Sequence, residues 1–186
     1  MEWTGQRYAD TPTVAAETYI EAACEQVWEL VSDIHLMAEL SSELVAVEWL
    51  HGASAPAPGH SFLGRSSHPE LGTWETTSYV VEYQEQRSFA WAVEDPELPT
   101  AVWRLSLRPE GSGTVLEQWM QMGPGRSGLS LAIERMPDKE QKIVFVRMRE
   151  FETGITNNLA AIKKLAEGVS GGPNESPAED LIERAR

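Results

Sequence analysis

The chain has 186 residues, 41% hydrophobic and 24% charged, with a formal net charge of −14. That length is enough for one domain with a sizeable core. It contains no apolar run of the ~18 residues that a membrane-spanning helix needs, and its acidity argues against nucleic acid and anionic membrane surfaces as partners. The charge leaves room for a neutral or apolar ligand, because a pocket lining can differ from the outer surface. The opening "MEWTGQRYADTPTV" has no basic stretch followed by an apolar one, so no secretory signal is read and a cytoplasmic location is expected. The single cysteine, Cys24, agrees with a reducing compartment.

In chain order, residues 1–12 read as an irregular lead-in ending at Pro12. Residues 13–21 alternate as a first strand, with Val14, Ala16, Thr18 and Ile20 on one side. "ACEQVWELVSD", 23–33, is a short amphipathic helix, and a second helical turn is expected over 35–42. Residues 43–52 then read as a strand with Leu44, Ala46, Glu48 and Leu50 opposite Val45, Val47 and Trp49. The Pro- and Gly-rich 53–59 is a loop. Strands follow at 60–67, 73–84, 87–94, 100–108 and 113–122. Breaks such as "PELG" and "PEGSG" are short enough to favour an antiparallel meander.

After "GPGRSG", residues 129–136 form a short helix or lid. The longest periodic segment runs from about 137 to 167, with Ile143, Val144, Met148, Phe151, Ile155, Leu159 and Ile162 at three- and four-residue spacing. Pro137 suits its first turn and Gly168 its end. The predicted domain therefore covers 13–168, and 169–186 reads as a flexible acidic tail in which "EDLIERAR" forms at most a marginal helix.

Conventional chemical motifs are missing. His35, His51, His60 and His68 fall in no tight ligand spacing, so no metal site is expected. "GRSSH" and "GRSGL" are not nucleophile elbows. Cys24 opens a helix but has no nearby histidine in sequence and reads as a packed residue. "GSGTVL" is a hairpin turn without the third glycine and following helix of a dinucleotide site. No cofactor is expected, and nothing here fixes an oligomeric state.

The order strand, short helices, six antiparallel strands, long helix resembles the helix-grip fold of the START-related superfamily. The resemblance is carried by "YIEAACEQVWELVSDIHLMAELSSELVAVEW", 19–49, by "GHSFLGRSSHPELGTWETTSYVVEYQEQRSFAWAV", 59–93, by "GSGTVLEQWMQMGPG", 111–125, and by the long helix with Gly154. Within that superfamily the chain looks most like bacterial polyketide cyclase/dehydrase and lipid-transfer proteins. It departs from them at Ala23, where proline is usual, and at Leu40, where tryptophan is often found. The resemblance implies an α+β fold: a curved antiparallel sheet of about seven strands wrapped around the C-terminal helix, with two short helices after strand 1.

Five of the seven tryptophans lie between positions 49 and 119. Strand parity puts Trp74, Thr76, Ser78 and Val80 on one face, and Glu75, Thr77, Tyr79 and Val81 on the other. A tryptophan beside two hydroxyls is a poor core row, since buried hydroxyls need partners. It suits the wall of a pocket with a few convergent polar groups. The expected lining is Trp74, Thr76, Ser78, Phe89, Trp91, Trp103, Gln118, Met120, Arg147, Phe151 and Asn158. Arg65, Glu75 and Glu117 fall on the solvent parity. The expected function is binding or carrying a hydrophobic or aromatic small molecule, lipid- or polyketide-like. The alternatives are an aromatase/cyclase or dehydrase acting on a polyketide chain, which the resemblance implies for some relatives, and a partner-binding module without a small ligand.

Overall fold

A computed structural model describes residues 1–169, and the expected acidic tail lies outside the described residues beyond Val169. Seven strands form one antiparallel sheet: β1 (Thr13–Ile20), β2 (Leu44–Trp49), β3 (Ser61–His68), β4 (Gly72–Gln84), β5 (Ser88–Val93), β6 (Ala101–Glu110) and β7 (Gly113–Met122). Their spatial order is β1-β7-β6-β5-β4-β3-β2. The meander expected from the short breaks runs from β2 to β7, and β1 closes the far edge by pairing with β7. Helices α1 (Cys24–Val31) and α2 (Ile34–Leu40) follow β1, α3 (Gly128–Arg135) follows β7, and α4 (Glu140–Val169) ends the domain. This is the helix-grip architecture. Pro137 opens a single 3-10 turn over Pro137–Lys139 before α4 begins.

Two β-bulges change which side chains face inward. One lies between Leu44 and Ala46, so the regular alternation expected over 43–52 does not hold. Leu44 faces the concave side and Val47 and Trp49 also pack toward the core, whereas Val45 is 60% exposed. The extra residue shifts the side-chain phase by one, which parity counted from sequence cannot register. The second bulge, between Val80 and Glu82, leaves Val81 outside. Up to that point Ser78 and Val80 are buried inward as the parity predicts, and past it Tyr83 packs inward against Trp28.

Helix α4 spans about 45 Å and lies close against β1 and β7 at one side of the sheet. Val144, Met148, Ile155, Leu159 and Ile162 form its buried stripe. At one end α1 inserts Val27, Trp28 and Val31, and Trp28, Tyr83, Phe89 and Trp91 make a continuous aromatic cluster there. Thr114 is buried beneath this end, its hydroxyl donating to the Ala22 carbonyl at 2.8 Å. On the convex face Arg104 stacks on Trp119, 5.0 Å from the ring centre, and pairs with Glu117 at 3.6 Å.

Helix α2 is held by its N-cap. The Asp33 carboxylate accepts the His35 backbone N–H at 2.8 Å. Asp33→Ala is expected to cost about 1 kcal/mol, read as a lower urea midpoint with unchanged slope. An unchanged midpoint would show that packing on β2 alone holds α2.

Candidate functional site

Because α4 rests on the β1/β7 side, the concave face of the other strands is covered at a distance. A cavity of about 780 Å³ lies between α4, α2, α3 and the sheet. Strands β3 to β7 deliver alternate residues to its wall: Phe62, Gly64 and Ser66 from β3; Trp74, Thr76 and Ser78 from β4; Trp91 and Val93 from β5; Trp103 and Leu105 from β6; Gln118, Met120 and Met122 from β7. Helix α2 adds Met37 and Leu40, and α4 adds Arg147, Phe151, Gly154, Ile155 and Asn158. Ten of the eleven residues expected from sequence are therefore brought together on this wall.

Phe89 is the exception. It is fully buried and packs on Tyr83 and Trp91, at 6.5 and 5.1 Å between ring centres, in the aromatic cluster under α1. The face assignment of Phe89 is right, but the cavity stops short of it because Trp28 fills that end of the sheet. Glu75 is exposed, as its parity predicts, and bound to Arg65 at 2.6 Å, and it also borders the cavity rim.

The wall is an arc of aromatic rings. Phe62, backed edge-on by Trp49 at 5.6 Å from outside the wall, meets Trp91 at 6.1 Å, and Trp91 lies nearly parallel to Trp103 at 6.4 Å. Trp103 then meets Phe151 of α4 perpendicularly at 5.4 Å. Rings in these orientations contribute about 0.5–1.5 kcal/mol per pair beyond burial, so the arc is a stiff surface. Ser78 and Gln118 are the buried polar side chains within it. Gln118 Oε1 is buried without a hydrogen-bond partner among the described residues.

Arg147 is buried and points toward the mouth of the cavity, but its charge is already answered. Its Nη1 donates to Glu43 at 2.8 Å and to Glu150 at 2.9 Å, and Nη2 donates to the second Glu43 oxygen. The guanidinium also sits 4.2 Å from the Phe151 ring centre. Burial pushes the Arg147 pKa down, but hydrogen bonds and charge from Glu43 and then Glu150 outweigh it, so the pKa ends above its ordinary value. A raised pKa means that the charged form persists at every pH of working interest. Arg147 is therefore a structural cation, without a spare charge to offer an acidic ligand atom.

Glu43 and Glu150 escaped the sequence reading, and His68 figures there only as a metal ligand. His68 Nε2 lies 3.7 Å from Glu150, while its Nδ1 accepts the Glu70 N–H at 3.2 Å. Glu150 stands three residues from Arg147 on α4, a spacing that brings side chains together. Glu43 lies 104 positions away and nothing local announces it. Among the described residues no group of three or more His, Cys, Asp or Glu could hold a metal ion.

Comparison with known families places this arrangement. Residues 11–167 match the model of a family described as polyketide cyclase/dehydrase and lipid transport. The chain belongs to this family. Its fold is similar to the solution structure of a polyketide_cyc-like protein from Corynebacterium glutamicum, at 31% identity, covering 86% of this chain and 93% of that one, with a TM-score of 0.64. It is also similar to the di-domain ARO/CYC StfQ from the steffimycin biosynthetic pathway, at 16% identity and a TM-score of 0.66. That match covers 86% of this chain and 52% of StfQ, so the chain spans about half of that protein. A third similar structure is protein NE0264 from Nitrosomonas europaea, at 14% identity, covering 86% and 97% of the two chains, with a TM-score of 0.58. The last two likenesses concern fold alone. Among curated proteins none matches the sequence. No helix of this family member is long and apolar enough, among the described residues, to cross a membrane.

Proposed function

We propose that residues 13–168 act as one unit that binds or carries a hydrophobic or aromatic small molecule in the cavity between sheet and α4. The observation that carries this reading is the cavity itself: about 780 Å³, walled by Phe62, Trp91, Trp103 and Phe151. A protein that only needed a core would fill such a volume, because voids forfeit packing energy. Family membership supports the same reading, since the family is described by polyketide chemistry and lipid transport. The formal net charge of −14 favours a small ligand over nucleic acid as partner.

The test is native mass spectrometry of the purified protein combined with a thermal-shift panel of lipids and aromatic polyketides. A bound mass or a ligand-dependent rise in Tm supports the reading, since a ligand at ~100 times its Kd adds about 2.7 kcal/mol. Absence of both across the panel would sink it.

A second reading, an aromatase/cyclase or dehydrase acting on a polyketide chain, draws support from Glu43, Glu150 and His68. All three lie at the cavity mouth or pair with a group there, and carboxylates and imidazole can move protons where Ser78, Gln118, Arg147 and Asn158 cannot at neutral pH. Reconstitution with a poly-β-keto substrate is its test. An unchanged product distribution with and without the protein would exclude it.

A further inference from the structure

Helix α3 is the loosest wall of the cavity. Gly128, Leu131, Ala132 and Arg135 follow one another at helical spacing and line it. Helices α1, α2 and α4 each bury at least one side chain, whereas α3 buries none and its Leu131 is 46% exposed. Only Leu129 and Ile133 of α3 pack on the edge of the core. The Arg126–Glu134 pair, at 2.9 Å, closes on the segment itself and ties it to nothing else. An eight-residue helix does not hold its fold in water without packing, so α3 persists only while it is kept against the cavity.

Among the described residues, one side-chain hydrogen bond joins residues 126–136 to the rest of the chain, and it comes from Tyr8. The Tyr8 hydroxyl donates to the Gly125 carbonyl at 2.6 Å and is hydrogen-bonded to Ser127 Oγ at 3.0 Å, at the N-cap of α3. Its ring lies over Gly123, where an added Cβ would meet it at 3.1 Å. Its backbone N–H donates to Glu140 Oε1 at 3.1 Å, in the first turn of α4. Tyr8 therefore holds both ends of the segment that carries α3. The residues before it are fastened along α4: the Trp3 ring meets Phe145 at 5.0 Å, and Gln141 Nε2 donates to the Gly5 carbonyl at 2.6 Å. The lead-in is thus a strap that is anchored on α4 and reaches across to the start of α3.

The geometry points to α3 as a lid on the cavity and to the N-terminal strap as its latch, with the Tyr8 hydroxyl as the catch; this rests on the proposed binding function. Opening breaks the Tyr8–Ser127 bond, draws Leu129 and Ile133 off the core edge and unwinds α3, which widens the mouth. The latch sets how fast a ligand exchanges and not how tightly it is held, because no residue of the strap lines the cavity.

Tyr8→Phe, which keeps the ring over Gly123, and Ser127→Ala, which removes the other partner, test this in two arms. Without ligand, hydrogen exchange of the amides of residues 129–136 is expected to quicken about fivefold in each variant, the factor that one lost hydrogen bond of typical net strength gives. The amides of β7 should keep their rates. The double variant should be no faster than the quicker single one, since both substitutions remove the same bond. In stopped-flow fluorescence with 1-hydroxypyrene, a flat ring probe, association and release should quicken together by that same factor, which leaves Kd within about twofold.

Unchanged exchange at 129–136 in Tyr8→Phe overturns the latch, whether or not any ligand binds. So does an equal acceleration in β7, which would make Tyr8 a residue of global stability. Additive effects in the double variant overturn it too, because Ser127 would then act as a helix cap independent of Tyr8. Faster amide exchange with unchanged probe kinetics would route the ligand elsewhere and overturn the lid. Absence of binding across the wider lipid and polyketide panel overturns the binding function and the lid with it, a result that the ligand-free arm keeps separate from failure of the latch.

Discussion

Replacing Arg147 with methionine is expected to lower the unfolding free energy by about 3 kcal/mol, a drop in Tm of roughly 6–12 °C for a domain of this size. Arg147 ties three separate parts of the chain. It receives Glu43 from the segment between α2 and β2 and Glu150 from its own helix, and Glu150 stands 3.7 Å from His68 near the β3–β4 turn. Without the guanidinium, two half-buried carboxylates face each other at the cavity mouth with no counter-charge, which is the costly way to break a buried pair. Methionine keeps the stem that packs beside Phe151, so the loss reports charge and hydrogen bonds and not volume.

Arg147→Lys should recover only part of the stability, since an ammonium cannot donate bidentately to Glu43. Glu43→Gln, which keeps a hydrogen-bond acceptor and leaves Glu150 in place, should cost ~1 kcal/mol. Urea unfolding of the three variants checks the ordering. A loss below about 1 kcal/mol for Arg147→Met would mean that the cluster behaves as a screened surface pair. The pH dependence has a definite sign. Because the folded pKa of Arg147 is raised, its contribution is complete below the ordinary arginine value and fades only as pH climbs through the higher folded value. The penalty of Arg147→Met should therefore not vanish through Arg147 titration anywhere near neutrality.

The second large effect is on binding. Gly154 sits in mid-helix, where glycine costs about 1 kcal/mol relative to alanine. The sequence alone suggests a close approach to the sheet or a ligand as the compensation. The structure shows no close approach to the sheet: a Cβ built on Gly154 meets nothing within 4 Å, and the residue lines the cavity. Its missing side chain leaves open space beside Phe151 and Asn158. Gly154→Ala is accordingly expected to raise stability by about 1 kcal/mol. Gly154→Phe should place a ring inside the cavity without a backbone clash and weaken binding of a ring-sized ligand by about a hundredfold or more. Its Tm should stay level or rise. A large fall in Tm with Gly154→Phe would show instead that the space beside α4 cannot accept a side chain.

Much of this is legible in the sequence. The hairpin breaks, the long periodic segment and the mixed row Trp74, Thr76, Ser78 are local features, and local features set the meander, the helix and the wall that β4 presents. What stayed illegible depends on contacts between distant residues or on single-residue register. The bulges after Leu44 and Val80 are set by how neighbouring strands fit and leave no mark in the alternation until it is broken. Phe89 has the right parity, but whether its stretch of sheet borders space or α1 is decided by Trp28, sixty-one positions earlier. Arg147 reads from sequence as either a pocket group or a paired one. Only the approach of Glu43 across 104 positions decides for pairing.

The most direct measurement is a fluorescence titration of 1-hydroxypyrene against the native protein and Gly154→Phe side by side. The expected result is saturable one-to-one binding to the native protein and at least a hundredfold weaker binding to a variant of equal or higher Tm, as follows from filling the cavity. Equal affinity in the two proteins would place the ligand elsewhere and contradict binding between the sheet and α4.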